Sequence, residues 1–244
     1  MAVSWRRKAF YRANHLYEKA FWLYRPFYFA YKYCCDRNAL ALLRKMVNRD
    51  SVALDIGGNI GFYARFLAQC VGENGQVYSF EPDPANYKHL KRQVQGMAQV
   101  VPVQAAVGDM NGAVDLYLAA DLNVDHRLYS TDTNRSSIKV DCVSIDRYLP
   151  EQTVVNFVKM DIQGYEAHAL QGMKDTIRRS PGIRLYTELW PYGLLKAKSS
   201  AIDYLEQLRS LGFEVHIFSS MDEVERHAQD EDWYTDLYAC RKSS

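Results

Sequence analysis

Long apolar runs are missing from this sequence. Arg25, Pro26 and Lys32 interrupt its most hydrophobic stretch well short of the ~20 residues that a membrane span needs. Arg7, Lys8, Arg12 and Lys19 break the first apolar cluster before it can read as a cleavable signal. Cysteine is scarce and poorly spaced. Cys34, Cys35, Cys70, Cys142 and Cys240 form an odd set with no C-x-x-C pair, and adjacent Cys34 and Cys35 are badly placed to bridge each other. Reduced thiols in a cytoplasmic protein are therefore the expectation. Net charge is also nearly absent. At +1 it gives no global field to recruit nucleic acid. Internal repeats and low-complexity stretches are lacking too.

What is present suits one α/β domain with additions. Hydrophobic residues make up 48% of the 244, and charged residues 24%, enough for a sizeable core. The balanced charge hides an asymmetry. Residues 1–33 carry seven Lys/Arg against Glu18 alone, a net of +6 that leaves −5 for the remaining 211, and they hold 12 of the 32 aromatics. Division into an aromatic, basic helical extension over 1–50 and a main domain over 51–244 follows.

From residue 51 strands alternate with helices. "SVALDIG" reads as a buried parallel strand, and Tyr63, Phe66, Leu67 and Cys70 then share one helical face before Gly72. "QVYSFEP" is a second strand. Asp83-Pro84 supplies a cap and first-turn proline for a helix burying Tyr87, Leu90 and Val94. "AQVVPVQAAV" reads as a third strand. Two strands flanking a polar loop, "DLNVDHRLYSTDTNRS", interrupt the rhythm, which resumes with "TVVNFVKMDI", a helix "EAHALQGMKDTI", "IRLYTEL", a helix from Ser200 to Leu211, and the strands "FEVHIF" and "WYTDLYAC". Such alternation predicts a mostly parallel sheet covered on both faces.

In doubly wound sheets a ligand sits beyond the carboxyl ends of the strands, near the first strand-to-helix turn. Here that turn reads D-x-G-x-N-x-G from Asp55 to Gly61. Asn59 stands where a dinucleotide fingerprint needs its second glycine, and no Gly-Lys-Ser/Thr closes a phosphate loop. An opening acid favours a cationic ligand over a pyrophosphate. Glu81, 26 residues on, ends the second strand, where an acid can accept ribose hydroxyls. Ribose, adenine and positive charge near an amino-acid end describe S-adenosylmethionine. The glycines are expected to make room for it.

"LDIGGNIGFY", "SFEPDPANYKHL" and "VKMDIQGYEAHALQGM" together resemble the signature blocks of FkbM-type S-adenosylmethionine-dependent methyltransferases, over about residues 50–190. The resemblance implies a class I methyltransferase fold, a Rossmann-like, doubly wound seven-stranded sheet with its last strand antiparallel. It implies O-methylation of a hydroxyl on a sugar or other secondary metabolite. By the same resemblance Asp55, Gly57, Gly58, Asn59 and Gly61 surround the methionine part, Glu81 takes the ribose, and Pro82 and Ala106 edge the adenine. Asp161, at the fourth strand's end, lies near the cofactor's amino group and the reacting methyl. Two departures stand out. Gly58 replaces a usual alanine, expected to be harmless, and Gln163 replaces a common glutamate.

A hydroxyl is a poor nucleophile until its proton is leaving, so a base is useful. His126, in an Asp-His-Arg block that several family members share, is the candidate, and Asp161 the alternative. Asp161 and Glu188 raise the question of a divalent cation, but no tight oxygen cluster is visible and no metal is expected. Glu188, Trp190 and Tyr192 follow the fifth strand, where aromatic faces could stack on a pyranose and Glu188 bond its hydroxyls; packing of the rim is the other reading. In the extension, Tyr17, Phe21, Tyr24, Tyr28 and Tyr31 form a helical stripe that Pro26 should kink or split. The stripe either packs on the core or a second subunit, or meets a membrane surface. The expected protein is thus a cytoplasmic O-methyltransferase for a saccharide or glycolipid, peripheral at the inner membrane face if residues 1–33 bind lipid. A methyltransferase for a non-sugar natural product such as a macrolide, and a non-catalytic cofactor-binding module, are the rivals. Acceptor and oligomeric state are not readable.

Overall fold

Ten strands and ten helices follow one another over the residues that the structure, a computed structural model, describes: Tyr17, 20–119, 125–130 and 135–241. Helices α1 (Phe21–Cys35) and α2 (Arg37–Met46) lead into β1 (Val52–Ile56), α3 (Phe62–Val71), β2 (Gln76–Phe80), α4 (Pro84–Gln93) and β3 (Val100–Val103). Then come β4 (Ala106–Val107), β5 (Gly112–Tyr117), β6 (Ser137–Val143) and α5 (Ile145–Tyr148). The second half runs β7 (Phe157–Met160), α6 (Glu166–Gln171), α7 (Lys174–Arg178), β8 (Arg184–Leu189), α8 (Pro191–Lys196), α9 (Ala201–Ser210), β9 (Phe213–Ile217), α10 (Met221–Arg226) and β10 (Thr235–Arg241).

Seven strands form one sheet in the order β3-β2-β1-β7-β8-β10-β9. Pairing is parallel from β3 through to β8, and β10 runs antiparallel to both β8 and β9, between which it lies. This is the sheet that the resemblance implies. β1 and β7 sit at its centre, buried on both faces, so their ends are held rigidly side by side. The order reverses between β1 and β7, which opens a crevice beyond their carboxyl ends.

The stretch expected as one third strand is divided. Its first half is β3, and its second half, β4, leaves the main sheet to pair with β6 in a three-stranded sheet, β4-β6-β5. The expected helix over 166–177 also breaks in two, at Gly172, where a Cβ would collide with the carbonyl oxygen of Gly108.

Pro26 does not end the first helix. It sits within α1, and the carbonyl it leaves without a donor belongs to Trp22, which is 74% exposed and so open to water. The aromatic stripe packs inward over most of its length. Tyr17, Phe21 and Tyr24 gather against Ile60 and His89, with Phe21 stacked on the imidazole at 3.4 Å between ring centres. Tyr17 donates to Asn86 Oδ1 at 2.6 Å. Leu40, Leu43 and Met46 of α2 join Phe66, Leu67 and Val71 of α3 in a shared core. Among the described residues no helix is long and apolar enough to cross a membrane.

Candidate active site

β1 delivers its chain into a turn whose amides are already committed. Gly57 and Gly58 donate to the carbonyl of Phe80 at 3.0 and 2.8 Å, tying the turn to the end of β2. Gly57 and Gly61 have φ of 86° and 91°, conformations that favour glycine. A Cβ at Gly57 would collide with the carbonyl oxygen of Asp161, one at Gly58 with Ser79 Oγ, and one at Gly61 would come within 3.0 Å of Leu90 Cδ1. The expectation that a ligand forbids side chains here needs an addition. The protein's own β7 end, β2 and α4 already do so. Gly58 is not an indifferent replacement for alanine either, because Ser79 occupies the room a methyl would need.

Beneath the turn lies a buried ionic row. Asp55 is fully buried and accepts a hydrogen bond from Ser79 Oγ at 2.8 Å through Oδ2, while Oδ1 has no hydrogen-bond partner. Burial pushes its carboxyl up, and Lys159 opposes that. Lys159, itself buried, donates to the carbonyl of Gly57 at 3.2 Å and lies 3.6 Å from Asp161 Oδ2 and 3.9 Å from Asp55 Oδ1. Its ammonium also stands 4.9 Å from the centre of the Tyr63 ring. Burial acts to raise the Asp161 carboxyl. Lys159, Lys32 and a hydrogen bond from Gln163 outweigh it, holding Asp161 below the usual carboxylate range. Sequence reasoning gave Lys159 no role. A lysine inside the four-residue buried strand Phe157–Met160 was itself the signal, since lysines are rarely interred without partners.

Glu81 continues past β2 and turns its carboxyl back onto the turn. Oε2 accepts the amide of Asn59 at 2.7 Å and Oε1 that of Asp83 at 3.0 Å. Asn59 lies at φ 46° and caps its neighbour, Oδ1 accepting the Ile60 amide at 2.7 Å. Burial pushes Glu81 up to about 8 despite those amides. Half-buried Pro82 follows it. Ala106 is buried. It packs with Leu116, Val140 and Cys142 in the core of the small sheet, too deep to offer an open wall.

Beyond β7 and β8 stands a second acidic group. Gln163 Nε2 donates to Asp161 Oδ1 at 3.1 Å and lies 3.4 Å from Glu188 Oε2. Asp236 of β10 pairs in register with Glu188 and accepts from the Tyr186 hydroxyl at 2.7 Å. The helical extension reaches this place as well. Lys32 of α1 pairs with Asp36 at 2.5 Å, Asp36 accepts from Tyr63 at 2.6 Å, and the charge of Lys32 is felt at Asp161.

His126 does not join them. Its Nδ1 accepts the amide of Ala119 at 3.1 Å, which leaves the proton of the neutral ring on Nε2. Burial lowers its proton affinity, and the charges that act on it are Asp83, Asp125 and Arg135, on the Glu81 side of the crevice. The expected base therefore has its lone pair engaged. Its neighbours in the Asp-His-Arg block are structural: Arg127 grips Asp125 at 2.8 and 3.1 Å and Glu231 at 3.0 Å. The Arg127 guanidinium covers Trp190, 4.8 Å from the ring centre. Trp190 is 4% exposed, donates to the carbonyl of Glu231 at 3.2 Å, and closes against Gly193 on another side. It has no free face for a sugar, so the stacking expectation for Trp190 is corrected. Tyr192 remains half-buried, with Lys196 5.4 Å from its ring centre. Among the described residues no three His, Cys, Asp or Glu side chains cluster as metal ligands.

Comparison with known proteins places this arrangement. A family profile described as the methyltransferase FkbM domain matches residues 55–215. The hexuronic acid methyltransferase AglP of Haloferax volcanii is 25% identical over 150 residues, 59% of this chain and 58% of that protein. The 2-O-methyltransferase NoeI of Sinorhizobium fredii is 26% identical over 169 residues, 62% of this chain and 67% of that protein. The chain thus spans less than two thirds of the length of AglP. Among solved structures, an rRNA methylase from Streptococcus thermophilus superposes with a TM-score of 0.52 at 12% identity, covering 84% of this chain and 95% of the other. A SAM-dependent O-methyltransferase from Thermotoga maritima does so at 0.51 and 13% identity, covering 85% and 66%. These likenesses establish the class I methyltransferase fold, and the profile match over most of the chain establishes that the protein belongs to the methyltransferase FkbM domain family.

Proposed function

We propose that this protein is an S-adenosylmethionine-dependent O-methyltransferase that modifies a hydroxyl of a saccharide or glycolipid. The observation that carries the reading is a gathering of acids. Asp55, Glu81, Asp161 and Glu188 stand at the carboxyl ends of four neighbouring strands, with Lys159 the buried cation among them. An Asp55 oxygen with no hydrogen bond and only a distant ammonium, and four carboxyls at one edge, suit a cationic ligand. The residues fit S-adenosylmethionine. Glu81, pinned by two backbone amides, keeps lone pairs for ribose hydroxyls beside Pro82. Asp161, held ionised and with its side chain 37% exposed, meets the positive amino-acid end, and the turn from Gly57 to Gly61 encloses it. The bound group supplies an electrophilic methyl on sulfur. Tyr192 and Glu188 face the acceptor. A sugar is favoured because two relatives carry names for hexuronic acid methylation and 2-O-methylation.

Residues 1–50 act as an extension of the methyltransferase domain over 51–244, with Lys32 closing the site from one side. A cytoplasmic location with a peripheral lipid contact is part of the proposal, supported by the exposed Trp22 and Phe27 on α1. The test is incubation with radiolabelled S-adenosylmethionine and a panel of uronic acid glycosides, neutral sugars and a macrolide aglycone. Mass spectrometry should find the product heavier by one CH₂. Label in a sugar supports the reading, label only in the macrolide replaces its acceptor, and cofactor binding without transfer to any acceptor leaves a binding module.

A further inference from the structure

Glu188 closes β8 where Asp161 closes β7, and the register of those strands, Met160 opposite Thr187, sets the two carboxyls side by side. Gln163 spaces them with one amide nitrogen. Other groups acting on Glu188 are Lys159 from β7, Glu166 from α6, and Asp236 and Tyr234 from the β10 segment. Their commitments differ. Lys159 is shared between Asp55, Asp161 and a carbonyl oxygen, and Lys32 adds to the charge on Asp161. Asp236 accepts from Tyr186. Among the described residues no cation reaches Glu188 at ion-pair distance.

We propose that Glu188 is the general base of the transfer, readied for that task when the cationic methyl donor binds beside Asp161. This rests on the methyl-transfer reading above. As the acceptor oxygen forms its bond to the methyl carbon, its proton passes to the Glu188 carboxylate, and the electron pair of the broken S–C bond remains on sulfur. Neither other candidate can do this as well. Asp161 is held ionised by two ammonium groups, which makes it a weak base, and the His126 lone pair is engaged by Ala119.

Burial first, then the charges of Asp161, Glu166 and Asp236, push Glu188 well above the usual carboxylate range in the free protein. A unit positive charge arriving within roughly 5 Å lowers the proton affinity of such a carboxyl by about a hundredfold. S-adenosylmethionine carries that charge on its sulfonium; S-adenosylhomocysteine, with a neutral sulfur, does not. The two ligands should therefore differ in how many protons their binding releases.

Calorimetry in two buffers of different ionisation enthalpy counts those protons near neutral pH and needs no acceptor. The expected result is that S-adenosylmethionine releases up to about one proton more than S-adenosylhomocysteine, and that Glu188→Gln abolishes the difference, weakening S-adenosylmethionine about tenfold while S-adenosylhomocysteine stays within about threefold. An equal count for the two ligands in the wild type, or an undiminished difference in the variant, overturns the proposal. Failure of either ligand to bind sinks the methyl-transfer reading itself, and this inference with it. Where the acceptor panel yields a substrate, Glu188→Gln should lower turnover by about 10²–10⁴. Turnover retained within threefold overturns the assignment.

Discussion

Glu81 holds the backbone of Asn59: one carboxylate oxygen accepts that amide at 2.7 Å, and Asn59 stays in the left-handed conformation that turns the chain toward α3. A carboxylate that binds ribose would thus also shape the turn beside it. With its value pushed up to about 8, Glu81 is protonated in the folded protein at pH values where the unfolded chain has lost the proton. The folded state then binds more protons between the usual carboxylate value and 8, so stability falls as pH rises through that interval. Ribose donors favour the ionised form, so cofactor affinity should rise with pH and level off above about 8. Melting temperature and Kd measured from pH 5 to 9 check both slopes. Glu81→Gln should flatten the Glu81 contribution to each and weaken binding by one to two decades, about 1.5–3 kcal/mol. Slopes unchanged in the variant would show that another group sets them.

Ser79 and Gly58 compete for one space. Gly58→Ala should destabilise the fold by about 1–3 kcal/mol through the clash with Ser79 Oγ. Ser79→Ala, which frees the space but removes the hydrogen bond to Asp55, should cost about 1 kcal/mol. The double variant is expected to be more stable than the two losses added together. Urea denaturation of all four proteins completes the cycle, and strict additivity would refute the clash.

His126 and Arg127 should separate chemistry from architecture. His126→Ala is expected to keep turnover within about threefold, since its lone pair is taken by Ala119. Arg127→Ala leaves Asp125, Glu231 and the Trp190 face without their shared partner. It should lower stability by about 1–3 kcal/mol, because Glu231 is half exposed and Asp125 keeps Arg135. A collapse of turnover in His126→Ala, with cofactor affinity intact, would return the histidine to the chemistry.

Two faces of α1 can be tested apart. Tyr24 is buried against Ile60 and its aromatic neighbours, so Tyr24→Ala should cost about 3–5 kcal/mol in stability. Trp22 and Phe27, 74% and 68% exposed, should change stability little when both become serine. If they meet lipid, the intact protein should sediment with anionic vesicles at low salt and the double variant should not. Sedimentation that is equal for neutral and anionic vesicles, or absent at every salt, removes the membrane contact.

Legibility followed physical locality. β1, β2, α3 and α4 could be read because their burial repeats with a strand or helix period and their ends carry Gly72 or Asp83-Pro84. The break between β3 and β4 was invisible, because both pieces are apolar and only their partners differ. α10 was missed although Ser220 and Glu223 spell a capping box, which the structure forms. In the site, Asp55, Glu81 and Asp161 fall at strand ends, where position alone nominates them. Lys32 with Asp36, Tyr63 and Asp236 come from three separate segments, and nothing local in any of them announces that tertiary folding will gather them near Asp161. Trp190 misled because an aromatic after a strand reads the same whether its ring is open or roofed by an arginine from 63 residues earlier.

The position of β10 has a consequence for synthesis. It follows β9 in the chain yet lies between β9 and β8, so a nascent polypeptide halted after β9 has a gap where a strand belongs. Until the ribosome has released that segment, β8 presents an unpaired edge to solvent and β9 has no neighbour in the sheet. Asp236 arrives with the same strand and takes its place beside Glu188. Closure of the sheet and completion of the acidic group are therefore one late event, and a nascent chain cannot have the finished site before it has the finished sheet.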